Sequence, residues 1–236
     1  MERRGSEGDP LAVAVRLAAP GTGERVLDLS GRAGGVAVQL AETAASVEAV
    51  QPDRQLAEEG RRLARSMGRD NVFFHSGPLD ELPFDSGHFD LVLLCRALPR
   101  ERRPMAALRE AHRVLARAGR LVLQEVVAFG DPALDLRIWE MERRRDPGHL
   151  LFYGRDELIA LTDSAGLKVD EEVSSVLTQD FGYWAGPEDD GGSLVAESKS
   201  IFFSLAPVLQ ERLDLVLADG RISFTYQLVT VRATRG

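Results

Sequence analysis

Apolar residues follow two rhythms along the first half of this chain. Short continuous runs occur at 25–29, 47–50, 71–74, 89–94 and 120–127. Between them, at 11–19, 36–44, 53–66 and 105–115, apolar residues return at helical spacing. The run FDLVLL at 89–94 is apolar almost throughout, as a strand buried on both faces must be. The alternation predicts βαβ units: a parallel sheet, right-handed crossovers and a ligand site at the carboxyl ends of the strands. The later half reads differently. Helices are predicted at 131–145 and 155–165, and an alternating strand at 167–176. A stretch at 178–193, mixing aromatics, acids and glycines, reads as a loop or insertion. Residues 195–217 read as helical, broken near Pro207, with a turn at Ala218, Asp219 and Gly220 and a last strand at 221–233. Residues 1–9 read as a flexible tail, and 10–236 as one domain in which 131–217 carries helical and loop cover elements.

Composition narrows the function classes. A net charge of −8 and a pI near 5.1 speak against a nucleic-acid partner, whose phosphates need a basic face. No run approaches the roughly 18 apolar residues of a membrane span, and the polar start has no signal-peptide pattern. A single cysteine, Cys95, forbids an internal disulfide and fits a reducing cytoplasm. The four histidines and Cys95 lack metal-ligand spacing, so no metal is expected.

The densest signal is RVLDLSGRAG at 25–34: an apolar strand ending in an acid, then a small-residue turn, then a helix. Such a layout brings backbone close to a nucleotide-type ligand. The stretches RVLDLSGRAGGVAVQLA, LPFDSGHFDLVLLCRAL and MAALREAHRVLARAGRLVL, with DPGH at 146–149 and DGRISFT at 219–225, resemble the class I S-adenosylmethionine-dependent methyltransferases, in their small-molecule, quinone-biosynthesis-like branch. The resemblance spans about residues 20–235. It implies a doubly wound α/β fold with a mostly parallel, seven-stranded, Rossmann-like sheet whose last strand is antiparallel. It also implies S-adenosylmethionine as cofactor, and a binding set of Asp28, Ser30, Gly31, Arg32, Gly34, Gln51, Pro78, Leu79, Asp80 and Cys95.

Three of these positions depart from the family pattern. The family turn reads D-x-G-x-G-x-G, and Arg32 takes its middle glycine. Gln51 stands where an acid holds the ribose hydroxyls, and Pro78 where an Asp faces the adenine, with Asp80 two residues on. A lost charged hydrogen bond costs roughly 1.5–3 kcal/mol. A guanidinium about 4 Å from the sulfonium would oppose it by roughly 4 kcal/mol at an effective dielectric near 20. The motif thus reads as degenerate, with Arg32 intruding on the inherited pocket.

His149, after a Pro-Gly turn, is the candidate general base, with Tyr153 beside it; a polar loop histidine is the competing reading. His75 and His88 read as structural, and His112 as a surface residue. Trp139, Phe152, Tyr153, Phe181, Tyr183 and Trp184 could line an apolar substrate pocket, or cover the sheet, or form a dimer surface. The expectation is methyl transfer to a small, apolar metabolite. The alternative is a methyltransferase-like protein serving as a partner subunit, ligand-binding module or non-methylating enzyme.

Overall fold

In the computed structural model, residues 10–31, 33–185, 193–205, 207–218 and 221–235 are described. Five strands run parallel: β1 (Arg25–Asp28), β2 (Ser46–Gln51), β3 (Val72–Ser76), β4 (Phe89–Cys95) and β5 (Leu115–Val126). Helices α2 (Gly35–Leu40), α3 (Arg54–Ser66) and α4 (Pro104–Val114) cross between them, and α1 (Pro10–Ala18) precedes them. Then follow α5 (Pro132–Arg145), α6 (Arg155–Ser164), β6 (Leu167–Asp180), α7 (Phe181–Ala185), α8 (Ser193–Ser204), α9 (Pro207–Arg212), β7 (Val216–Ala218) and β8 (Arg221–Arg235). The sheet order is β3-β2-β1-β4-β5-β8-β6, with β8 antiparallel to both neighbours and the short β7 paired to β8. The order reverses between β1 and β4, which opens a crevice at their carboxyl ends.

Local chemistry explains the elements. β4 is central because Phe89 and residues 91–95 are all buried, flanked by β1 and β5. Asp53 caps α3 by accepting the N–H of Leu56 at 2.9 Å. Asp131 caps α5 in the same way from Ala133 and Leu134, with Pro132 at the first helical position. Arg120 of β5 donates to the carbonyls of Ala18 and Ala19 and to Glu24, which ties down the carboxyl end of α1. One apolar core fills each face of the sheet. A third, built on Leu134, Phe181, Phe202 and Phe224, lies under α5, α7 and α8.

Two expectations need correction. The stretch at 178–193 is no loop in its first part: Thr178–Asp180 extends β6 against Thr225, Phe224 and Ser223, and Phe181 then begins α7. The ladder to β8 supplies backbone partners there, which local composition does not reveal. Residues 186–192 lie outside the described residues, as does the tail at 1–9. The helical reading of 195–217 also ends too late. Val216–Ala218 forms a hairpin strand with Ser223, Ile222 and Arg221, while Asp219 and Gly220 lie outside the described residues.

Candidate active site

The turn after β1 is held by its own acid: Oδ1 of Asp28 accepts the N–H of Ser30 at 2.9 Å. Gly31 and Gly34 adopt φ of +59° and +82°, the left-handed region that favours glycine. At Gly34 a Cβ would also lie 2.6 Å from the Phe74 ring and 2.9 Å from Cα of Gly60. Conformation and space both demand glycine there. Arg32 lies outside the described residues.

Beyond the turn is a cavity of about 760 Å³ at the carboxyl ends of the first strands. Ser30 and Gly31 form one side, and Pro52, Leu56, Pro78 and Leu79 form an apolar wall. Gln51 ends β2 fully buried, and among the described residues neither its Oε1 nor its Nε2 has a hydrogen-bond partner. Asp80 is ion-paired with Arg103 at 2.6 Å and does not line the cavity. Cys95, at the end of β4, is buried. Burial pushes its thiol up to about 12, helped by the charges of Asp28 and Glu125, so it is not a nucleophile.

A second cavity, of about 530 Å³, lies across the carboxyl ends of β5 and β6 and the amino-terminal half of the antiparallel β8. Phe152, Trp184 and Tyr226 give it aromatic walls, and Glu125 and His149 face it. Arg96, Arg100 and Arg145 line both cavities and so mark their junction. Arg96 is held at φ +56°, a left-handed backbone that costs a non-glycine residue about 1–2 kcal/mol. Such strain concentrates at functional sites.

Burial dominates the electrostatics here. Glu125 is fully buried: its Oε1 accepts from Ala97 and Leu98 at 2.9 and 3.0 Å, and Oε2 has no partner among the described residues. Burial pushes its carboxyl up to about 8, against the lowering pull of those two N–H groups and of Arg100 and Arg96. His149 is 6% exposed and its Nε2 has no partner among the described residues. Burial, aided by Arg100 and Arg145 and opposed by Glu142, moves it below its usual range. It therefore stands neutral, with a basic nitrogen free. Tyr153 is buried, and its hydroxyl is pushed up to about 12 by burial and by Glu125; it lines neither cavity.

Glu142 organises the aromatic side. Its Oε1 accepts from Trp184 at 2.9 Å and Tyr226 at 2.6 Å, and its Oε2 from Arg145 at 3.0 Å. Burial alone would raise this carboxyl, but Arg145 and the three donors outweigh it and hold it below the usual carboxylate range. Arg145 also lies over the Trp184 ring at 5.4 Å.

The turn and the 78–79 segment thus line one cavity, with Gln51 fully buried between the lining residues Val50 and Pro52, and His149 in the adjoining cavity. Glu125, Glu142 and the three arginines were missed from the sequence. Glu125 had a readable signal, because it is an acid set inside the apolar run RLVLQEVV. Among the described residues no helix is long and apolar enough to cross a membrane, and no group of three or more His, Cys, Asp or Glu could hold a metal ion.

Residues 27–123, which carry the turn and the strands around the first cavity, match the methyltransferase domain family. Over this segment the chain is similar to known methyltransferases. YcgJ of Bacillus subtilis, an uncharacterized methyltransferase, is 30% identical over 145 residues, which is 61% of this chain and 57% of its own. Its crystal structure has a TM-score of 0.84 at 24% identity, covering 96% of this chain and 98% of that one. Demethylmenaquinone methyltransferase of Clavibacter sepedonicus is 37% identical over 122 residues, 52% of this chain and 48% of its own. The match to these curated relatives therefore spans only about half of their length. The geranyl diphosphate C-methyltransferase of Streptomyces coelicolor, solved with Mg2+, geranyl diphosphate and S-adenosyl-L-homocysteine, has a TM-score of 0.65 at 18% identity, covering 96% and 78%. At such identities the solved structures speak for the class I methyltransferase fold.

Proposed function

We propose that this chain transfers a methyl group from S-adenosylmethionine to a small molecule. The observation that carries this reading is the pair of cavities meeting at Arg96, Arg100 and Arg145, the first built on the glycine turn. The first cavity's volume is that of a small-molecule site. The buried amide of Gln51, without a partner among the described residues, can accept from and donate to a ribose. Pro52, Leu56, Pro78 and Leu79 suit a flat base, and the turn lets backbone approach the remainder. When bound, S-adenosylmethionine supplies an electrophilic methyl group on a sulfonium. The chain's task is then to orient an acceptor in line and exclude water, which supplies most of the rate in a positioned reaction. His149 takes a proton from the acceptor at Nε2, and Phe152, Trp184 and Tyr226 hold the acceptor's apolar part.

Calorimetric titration with S-adenosylmethionine and S-adenosylhomocysteine tests the reading. Saturable binding at one site in the micromolar range supports it, and no heat with millimolar ligand overturns it. A second reading has its own observations. Gln51 is neutral where the family has an acid, and Asp80 is already paired with Arg103. Both favour a module that holds a ligand without methylating it. Binding of the cofactor without turnover across a broad acceptor panel would select that reading.

A further inference from the structure

We propose that the acceptor is a ketone or related carbonyl compound, methylated on the carbon beside its carbonyl group, with Oε2 of Glu125 donating to the carbonyl oxygen and Nε2 of His149 taking the proton from that carbon. This deepens the methyltransferase reading and rests on it for the source of the methyl group. Glu125 and His149 both line the second cavity, and both are more than nine-tenths buried. Each points a polar atom there, Oε2 and Nε2, that has no hydrogen-bond partner among the described residues.

Oε1 of Glu125 already accepts from the N–H groups of Ala97 and Leu98, so the carboxyl's proton belongs on Oε2. Burial retains that proton up to about pH 8. Oε2 is therefore a donor, and Nε2 of the neutral His149 an acceptor. A carbonyl oxygen with a C–H beside it matches the two. The neighbours do not complete them. Arg100 spends Nε and Nη2 on Asp146 and Nη1 on the carbonyl of Arg96. Trp184 and Tyr226 spend their polar hydrogens on Glu142, so with Phe152 they offer ring surface to the acceptor's body. Ala97, whose N–H Glu125 holds, lines the first cavity, so the donor stands where the two cavities adjoin.

The chemistry balances. As the proton passes from carbon to Nε2 of His149, the C–H pair moves into the skeleton and negative charge grows on the carbonyl oxygen. The Glu125 hydrogen bond strengthens as that charge develops, while Glu125 keeps its own proton. The carbon then takes the methyl group: its bond to methyl forms, the methyl–sulfur bond breaks, the pair leaves with sulfur and the carbonyl re-forms. His149 returns its proton to water. The ionisable groups that face Glu125 are Arg96, Arg100, Cys95 and Tyr153. Those that face His149 are Glu142, Arg100, Asp146 and Arg145.

The test is deuterium uptake in heavy water, followed by NMR, at the carbon beside the carbonyl of β-tetralone and a panel of neutral aryl ketones. The full chain is used with S-adenosylhomocysteine, so the readout needs no methyl transfer. The best ketone should exchange at least about 100-fold faster than in buffer at pH 7. The rate should fall as pH passes about 8, where Glu125 loses its proton. Glu125→Met should lose the gain. Glu125→Gln, whose amide donates at every pH, should recover it to within about tenfold and abolish the fall above pH 8. His149→Gln should exchange near the buffer rate. Buffer-rate exchange across the panel, a fall above pH 8 that persists in Glu125→Gln, or a folded His149→Gln that matches wild type would each overturn the proposal. Catalysed exchange with no calorimetric binding of S-adenosylmethionine or S-adenosylhomocysteine would instead sink the methyltransferase reading and leave the donor and base standing. Cofactor binding without exchange of any ketone does the reverse.

Discussion

The two cavities are built by different means. The first stands on local geometry: an acid, two glycines with left-handed backbone and a strand end, all within 28–34, with 50–56 and 77–79 opposite. The second stands on long-range polar contacts. Glu142 of α5 reaches Trp184 of α7 and Tyr226 of β8, and Glu125 of β5 reaches the backbone of Ala97 and Leu98. A sheet crevice can be inherited whole in a short motif. A pocket for the variable partner must be assembled from distant parts of the chain, and there a single buried charge governs several neighbours.

The largest expected effect is on the second side. Glu142→Ala leaves Trp184, Tyr226 and Arg145 without their acceptor, and should cost about 4 kcal/mol in urea unfolding. Cofactor affinity should change little in the fraction that stays folded. An equal loss of both would break the distinction between the two sides. Gly34→Ala comes next, at about 3 kcal/mol, because a left-handed backbone and contact with Phe74 both penalise the added methyl. This variant should lose cofactor binding as well, measured by calorimetry.

Glu125 sharpens the contrast through pH. Its carboxyl is raised from 4.5 to about 8, so the folded chain holds a proton that the unfolded chain releases. Stability is therefore intact at about pH 4.5, falls as pH rises toward 8, and levels off above. Glu125→Gln keeps the acceptor for Ala97 and Leu98 and should flatten that slope, gaining about 2 kcal/mol over wild type at pH 8.5 in urea unfolding. Gln51→Ala acts on the first side only. It should weaken S-adenosylhomocysteine about tenfold, or about 1.4 kcal/mol, in calorimetry. The smallest effect belongs to Tyr153→Phe. The hydroxyl has no partner among the described residues, so its removal should shift unfolding by less than about 0.5 kcal/mol.

The same division explains what could be read in advance. The alternation of apolar runs with helical spacing announced the parallel sheet, and Ser30, Gly31, Pro78 and Leu79 line one cavity at its strand ends, while Asp28 and Gln51 are buried beside it. Periodicity could not show that 178–180 extends a strand, because the pairing with 223–225 comes from a segment more than forty residues on. It could not single out Arg145 either. That residue ends a helix in a run of three arginines, and only the fold decides which one faces the cavities. His149 was read as a base from its turn. Its free Nε2 and the burial that keeps it neutral are properties of the packed molecule. Of the aromatics expected to line an apolar pocket, Phe152, Tyr183 and Trp184 line the second cavity and Trp139, Tyr153 and Phe181 do not, while Tyr226 and the charged residues of its walls were not foreseen.

The central claim is that a nucleoside cofactor occupies the cavity beside the 28–34 turn. Amide hydrogen exchange with and without S-adenosylhomocysteine, read peptide by peptide, addresses this directly. Slowed exchange is predicted at 29–35, 50–56 and 77–80, with the distal strand segment 167–176 unchanged. Protection confined to other segments, or none at saturating ligand, would contradict it.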